Sequence, residues 1–319
     1  MSTQLDRRTQ GKLSRLRAYL IVFPIALLPI AGIPSSAAGG LLSDSQSSTS
    51  AATNNFSEFR SLFSHASEHQ QFDDGSTADM KAEADVENKI TQFTKVFEVG
   101  GPSVVASVDV SGGAVAAFAA ASGVLIFDMA LEQQSPLPPG IRTPFDLPLP
   151  YTFGARLVAD AVAPAGVTNP VVGASAFIDG ELGPPALQQT VVRFVLDAGI
   201  ATQGQRRFPI DAPLDMKLGD VFTVSLAAMA VVSGGLEPGK YEAGALADPQ
   251  FAFDQTRFDA LAAADGFPTF PLDQYFTFVF SPDLQVGGTP AAVPEPSTIA
   301  LLLCGVAVIA GRLGTRRAS

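Results

Sequence analysis

The stretch YTFGARLVADAVA places Tyr151, Phe153, Ala155, Leu157, Ala159, Ala161 and Ala163 on alternate positions. A two-residue period is what a half-buried strand requires, because successive side chains point to opposite faces. The same period recurs along the chain. Met80, Ala82, Ala84, Val86 and Ile90 share one register, as do Val172, Ala174, Ala176 and Ile178. Val192, Phe194 and Leu196 follow, then Phe222, Val224, Leu226, Ala228 and Ala230. Tyr241, Ala243, Ala245 and Ala247 lead to Phe251 and Phe253, and Phe276, Phe278 and Phe280 close the series. The runs are separated by turn-forming segments such as APAGVTNP, DGELGPP and VSGGLEPGK. Such spacing predicts an all-β domain over 79–288, an antiparallel β-sandwich of jelly-roll-like kind.

Two segments need separate treatment. SGGAVAAFAAASGVLIFDM is rich in alanine, which favours helix, but its Gly pairs and its Val-Leu-Ile-Phe end favour strand, and strand is the reading adopted. SPLPPGIRTPFDLPLPY carries too many prolines for a helix or a central strand and reads as a long surface loop.

Residues 1–38 have the three parts of a secretory signal: a basic region ending at Arg17, an apolar stretch from Ala18 to Ile33, and small residues after it. Signal peptidase is expected to cut after Ala37 or Ala38. Pro24 and Pro29 and the shortness of the apolar run argue against an uncleaved anchor. Residues 39–78 are polar and Ser-rich and read as a linker, with a short helix around Phe56–His69 where Phe59, Leu62, Phe63 and Ala66 recur at helical spacing. Both histidines of the chain, His65 and His69, fall there, and on one helical face they could clamp a metal. With no third ligand beside them, an exposed polar face is the preferred reading, and no metal site is assigned.

The chain's net charge of −11 hides an acidic body between basic ends. Between the first 40 residues and Pro294 there are 12 basic and 29 acidic side chains. Such a body is repelled by phosphate backbones, so nucleic acid is not an expected partner. Cys304, the one cysteine, lies in the C-terminal oily run, so the body can form no internal disulfide. No nucleophile elbow, phosphate loop or dinucleotide fingerprint occurs. With no histidine after His69, nucleophilic triads are read out of the 79–288 body. Carboxylate pairs remain, for glycoside hydrolysis or calcium. However, DQTRFDALAAADG matches no calcium loop, and its acids read as solvated strand faces and turns. The expected role is therefore non-enzymatic. No cofactor is expected, calcium being the one ion the acidic loops leave open. Sugar-binding platforms usually need Trp or Tyr. The chain has no Trp and four Tyr, and its 23 Phe mostly follow the core register.

The C-terminal segment 289–319 joins a short oily stretch to a basic end. Ser297 to Gly311 makes 15 residues, which as a helix span about 22 Å against a hydrocarbon core of ~30 Å. A short transmembrane helix is expected there, with Ile299, Leu301, Leu302, Leu303, Val306, Val308 and Ile309 as its apolar body. Arg312, Arg316 and Arg317 form a basic stop that keeps the tail inside and the body outside. Pro294-Glu295-Pro296, this helix and the arginines together resemble the PEP-CTERM sorting signal of Gram-negative bacteria. The resemblance covers under a tenth of the chain and leaves the body unassigned. It implies exosortase as a partner, a transient stay in the cytoplasmic membrane, and delivery to the cell envelope, cell surface or extracellular matrix. It also implies a link to exopolysaccharide and biofilm. The expectation is therefore an exported structural or adhesive protein. The alternatives are a polysaccharide-binding module, calcium-assisted or not, and after it a carboxylate-based hydrolase.

Overall fold

The alternating runs pair into ladders. The computed structural model describes residues 42–93, 95–138, 149–167, 170–183, 189–199 and 206–286. In chain order the strands begin with β1 (Gln46–Thr53), β2 (Ser57–Arg60), β3 (Phe63–Gln71) and β4 (Thr77–Val86). Next come β5 (Lys89–Phe93), β6 (Val96–Val99), β7 (Pro102–Ser111) and the 19-residue β8 (Val115–Gln133). β9 (Leu149–Val162), β10 (Val171–Gly183), β11 (Gln189–Gly199) and β12 (Arg206–Met216) follow. β13 (Val221–Leu236) and β14 (Gly239–Phe253) lead into the helices α1 (Gln255–Asp265) and α2 (Leu272–Tyr275), and β15 (Phe276–Phe280) and β16 (Gln285–Val286) end the described chain.

Two sheets result, antiparallel except for the short β5–β16 pair. Sheet A has the order β11-β10-β13-β8-β1-β2, with β15 continuing the β1 lane along β8. Sheet B runs β3-β4-β7-β14-β9-β12, with β6 continuing the β7 lane along β14. The inner faces pack together as a sandwich, and the expected registers hold. Tyr151, Phe153, Leu157, Ala159 and Ala161 are buried, as are Phe222, Val224, Leu226, Ala228 and Ala230. The core is graded. One end is aromatic, with the Phe222 ring edge-on to Phe153 at 5.4 Å and to Tyr151 at 6.0 Å. The other is lined by alanines such as Ala78, Ala82, Ala106 and Ala243.

The 39–78 reading is corrected. Most of that segment is β1, β2, β3 and the start of β4, not a linker, and Phe56–His69 is not helical. Its inward positions are small or hydroxylated: Thr49, Ala51, Thr53, Ser64 and Ala66 are buried. Thr49 Oγ1 and Ser64 Oγ lie 2.8 Å apart and Ser64 Oγ also donates to the Thr49 carbonyl, bonding β1 of one sheet to β3 of the other. Buried hydroxyls are stable when they satisfy one another in this way. The strand reading of Gly112–Met129 is right, since β8 occupies nearly all of it. The acidic stretch after Asp254 is helix α1, not strand or turn. Asp254 caps its first turn through the Arg257 N–H, and Gly266 ends it with φ 73°. Among the described residues no helix is long and apolar enough to cross a membrane. The segment expected to do so, the signal segment and most of the proline-rich loop lie outside the described residues.

Candidate binding faces

The outward side chains of the two sheets differ in kind. On sheet B the register brings His69, Asp79, Asp109 and Lys240 into one row across β3, β4, β7 and β14. The next rows carry Lys81 and Glu242, then His65 and Glu83. His69 Nδ1 lies 2.6 Å from Asp79 Oδ1, and His65 Nδ1 lies 3.2 Å from Glu83 Oε1. Lys81 reaches Glu83 at 2.9 Å, and Lys240 reaches Glu242 at 3.0 Å. The hydrogen bond from Lys81 holds the Glu83 carboxyl below its ordinary value against partial burial, with the Lys81 and His65 charges adding to it. A shallow, solvent-open groove of about 450 Å³ crosses this face, lined by Ser67, His69, Asp79, Lys81, Asp109 and Lys240.

Farther along sheet B the β7 lane breaks. Backbone pairing passes from β7 to β6 opposite Ala247–Pro249, where proline has no N–H to offer. Gly101 crosses so closely that a Cβ would sit 1.8 Å from the Ala247 carbonyl oxygen. Its N–H donates to the Asp248 carboxylate at 3.3 Å, so a side chain replaces the missing ladder partner. Burial raises Asp248 from 3.8 to about 6. The Gly101 N–H and Arg156 lower it, and the charges of Glu98 and Glu87 raise it further.

The outward face of sheet A carries a different set. Val195, Phe177, Ala227, Val124 and Ser48 form one row across five strands. Ser175, Met229, Ser122, Ser50 and Phe59 form the next, and Gly173, Val231, Ala120, Ala52 and Ser57 the one after. None of these side chains is charged. Val195 is 57%, Phe59 69% and Met229 38% exposed. Charge collects at the border. Asp179 pairs with Arg193 at 2.6 Å and Glu58 with Arg60 at 2.6 Å. Asp128 accepts from Thr223 Oγ1 and the Ser43 N–H, and the exposed Asp197 on edge strand β11 ends the Ser175–Met229 row. At the β1–β3 corner Phe56, Leu62 and Phe63 are also exposed, extending the apolar surface from Phe59 around the edge of the sandwich.

No known protein family matches the chain, and no curated protein matches it. Among solved structures it is similar to a carbohydrate-binding module of the β-sandwich superfamily described for promiscuous specificity, at 8% identity and a TM-score of 0.16, over 69% of this chain and 94% of that one. It is also similar to the VP2 protein of infectious bursal disease virus, at 11% identity and a TM-score of 0.16, over 89% of each chain. At these scores the likeness assigns neither family nor ligand.

The helical face on which His65 and His69 could have clamped a metal is not formed. On strand β3, His65 and His69 are four residues and about 13 Å apart, where one turn of helix would have set them about 6 Å apart. Among the described residues no group of three His, Cys, Asp or Glu side chains is placed to hold a metal ion. Both histidines nonetheless belong to the sandwich, so the domain does not lack histidine as its expected boundary implied. Each ring meets a carboxylate, and among the described residues no serine hydroxyl is hydrogen-bonded to either ring. The sorting motif Pro294-Glu295-Pro296, the apolar residues from Ile299 to Ile309, the arginines Arg312, Arg316 and Arg317, and the cleavage residues Ala37 and Ala38 all lie outside the described residues. The uncharged field on sheet A was missed altogether. Its residues are single outward positions on separate strands, and only the lane order brings them together.

Proposed function

We propose that this chain is an exported, non-catalytic structural or adhesive protein of the bacterial envelope or matrix, carried there by a PEP-CTERM-type signal. The body is a β-sandwich that presents one charged face and one whose centre is an uncharged field. The observation that carries the adhesive role is the uncharged outer field of sheet A. Solvent-facing sheets normally alternate apolar-in with polar-out, and a broad field of Val, Ala, Met, Phe and Ser facing outward is suited to contact with another surface. Export and sorting rest on the terminal segments. Signal peptidase and exosortase act in turn, the C-terminal helix holds the chain transiently in the cytoplasmic membrane, and the acidic body is delivered outside. Fractionation with a membrane-impermeant label tests this reading. The body of the intact chain is expected at the surface or in the matrix, and deletion of 294–319 is expected to leave it undelivered. A mature body found only in the cytoplasm contradicts the proposal.

A polysaccharide-binding role is the second reading, favoured by the exposed rings of Phe56, Phe59 and Phe63. These rings are available for stacking on sugar faces, whereas the sequence had placed most phenylalanines in the core. Binding of exopolysaccharide with and without a calcium chelator, lost in Phe59→Ala, is the expected result. No binding under either condition counts against it.

A further inference from the structure

We propose that the outer face of sheet A is a self-association surface, on which a second copy of this chain stacks sheet against sheet about a two-fold axis. This deepens the structural role proposed above and rests on that reading for its biological setting.

The first argument is extent. The field runs across β10, β13, β8 and β1 and is flanked by Val195 on β11 and Phe59 on β2. Four full lanes ~4.8 Å apart and about eight residues long give roughly 500 Å², before the flanking Val195 and Phe59 are added. The largest apolar patch of a soluble monomer is ~300–600 Å² and is often functional, and two such faces in contact bury about 1,000 Å², the low end for a specific pairwise interface. Among the described residues no helix or strand is layered over it, since α1 packs at β9 and α2 at β15.

The second argument is charge. The body carries 29 acidic side chains against 12 basic ones, so copies that meet through most surfaces bring carboxylates together. Sheet B sets Asp79, Glu83, Asp109, Glu242 and Asp248 on the face itself, with Glu83 and Glu242 paired to Lys81 and Lys240. The field on sheet A brings none to its centre, and two of its border carboxylates are already neutralised, Asp179 by Arg193 and Glu58 by Arg60. A centre without charge and a rim of closed ion pairs is how lasting protein contacts are built. The third argument is shape. Ala, Ser and Gly at Ala52, Ala120, Ser122, Ser175, Gly173 and Ala227 keep the surface low, and Met229 and Val195 stand above it. Two twisted sheets pack face to face ~10 Å apart when side chains of this size interleave. An isologous pairing uses the same patch twice and closes at a dimer.

Cysteine cross-linking of the full chain tests the proposal. In a Cys304→Ser background, Met229→Cys reports on sheet A and Val105→Cys, of similar exposure, on sheet B. A short bismaleimide is applied to unfractionated lysate, so the result does not depend on the compartment. Met229→Cys is expected to give a dimer of twice the mass of the uncross-linked chain at tenfold or more the yield of Val105→Cys. Adding Val124→Glu is expected to lower that yield tenfold. Val195→Glu serves the same purpose where Val124→Glu reduces the melting temperature. Equal yields from the two faces, a dimer that survives both glutamates, or a Met229→Cys thiol that is shielded in a monomer overturns the proposal; in the last case another part of the chain or another molecule covers the face. A cross-linked chain that fractionates to the cytoplasm keeps the dimer and refutes export. An exported chain without the cross-link does the reverse.

Discussion

Strand β8 of sheet A runs for 19 residues without a break, whereas the β7 lane of sheet B is cut at Gly100–Gly101. The two sheets bury similar inner faces, so the contrast lies in the ladders and in what each turns to water. Sheet B covers its outward side with Lys81–Glu83, Lys240–Glu242 and the two His–carboxylate pairs, and routes its lane change through a carboxylate. Sheet A has an unbroken β13–β8 ladder at its middle, with its one register shift on the β10–β11 edge, and a centre with no charge. Water alone provides no reason to leave so wide a field uncharged on a chain this acidic. The difference therefore separates a solvated face from a contact face.

The contrast can be broken first at the lane change. Gly101→Ala puts a methyl against the Ala247 carbonyl and is expected to cost about 3 kcal/mol in urea unfolding, the upper range for forced overpacking. A comparable change on the regular sheet, Ser122→Ala, is expected to stay within about 1 kcal/mol, because it removes only the half-buried hydrogen bond to Ser50.

Asp248 gives the next effect, and its sign follows from its raised value. The carboxyl ionises near 6 in the folded chain and at its ordinary 3.8 when unfolded. Its charge therefore opposes folding: relative stability is full below pH 4 and is lost as pH rises through 6. Asp248→Asn keeps an acceptor for the Gly101 N–H and removes the charge. It is expected to raise stability by about 2 kcal/mol at pH 7.5, after allowance for solvent screening, and to have almost no effect at pH 4. Melting curves at the two pH values check this. A gain that does not depend on pH would place the cause elsewhere.

The core shared by both sheets offers a smaller test. Tyr151 is fully buried, and among the described residues its hydroxyl has no hydrogen-bond partner. Burial, then the charges of Asp215 and Asp220, push its ionisation far above the ordinary range, so the phenol stays neutral. Tyr151→Phe keeps the edge-on contacts with Phe222 and Phe278 and is expected to stabilise by about 1 kcal/mol. The smallest effect belongs to the solvated face. His69→Gln removes an exposed ion pair and is expected to change stability by less than about 0.5 kcal/mol, less still in high salt.

The fold was legible wherever apolar residues alternate, because burial on one sheet face imposes that period directly. It was illegible over β1–β3. There the inward positions are Thr49, Thr53, Ser64 and two alanines, while Phe59, Leu62 and Phe63 point outward and imitate helical spacing. Core residues that satisfy hydroxyls across two sheets leave no hydrophobic trace. Helix α1 did leave one, an Asp254 cap and a terminal Gly266 around an alanine run, but its acids were read as solvated turns. The charge contrast between the faces depends on lane order, which no single segment encodes.

The central claim is that sheet A's outer face is occupied and sheet B's is free. Maleimide labelling of Met229→Cys and Val105→Cys, each in the Cys304→Ser full chain, over a hundredfold range of protein concentration tests it most directly. The account predicts that Val105→Cys labels at one rate throughout, while Met229→Cys slows tenfold or more as concentration rises. Equal, concentration-independent rates at the two positions would contradict it.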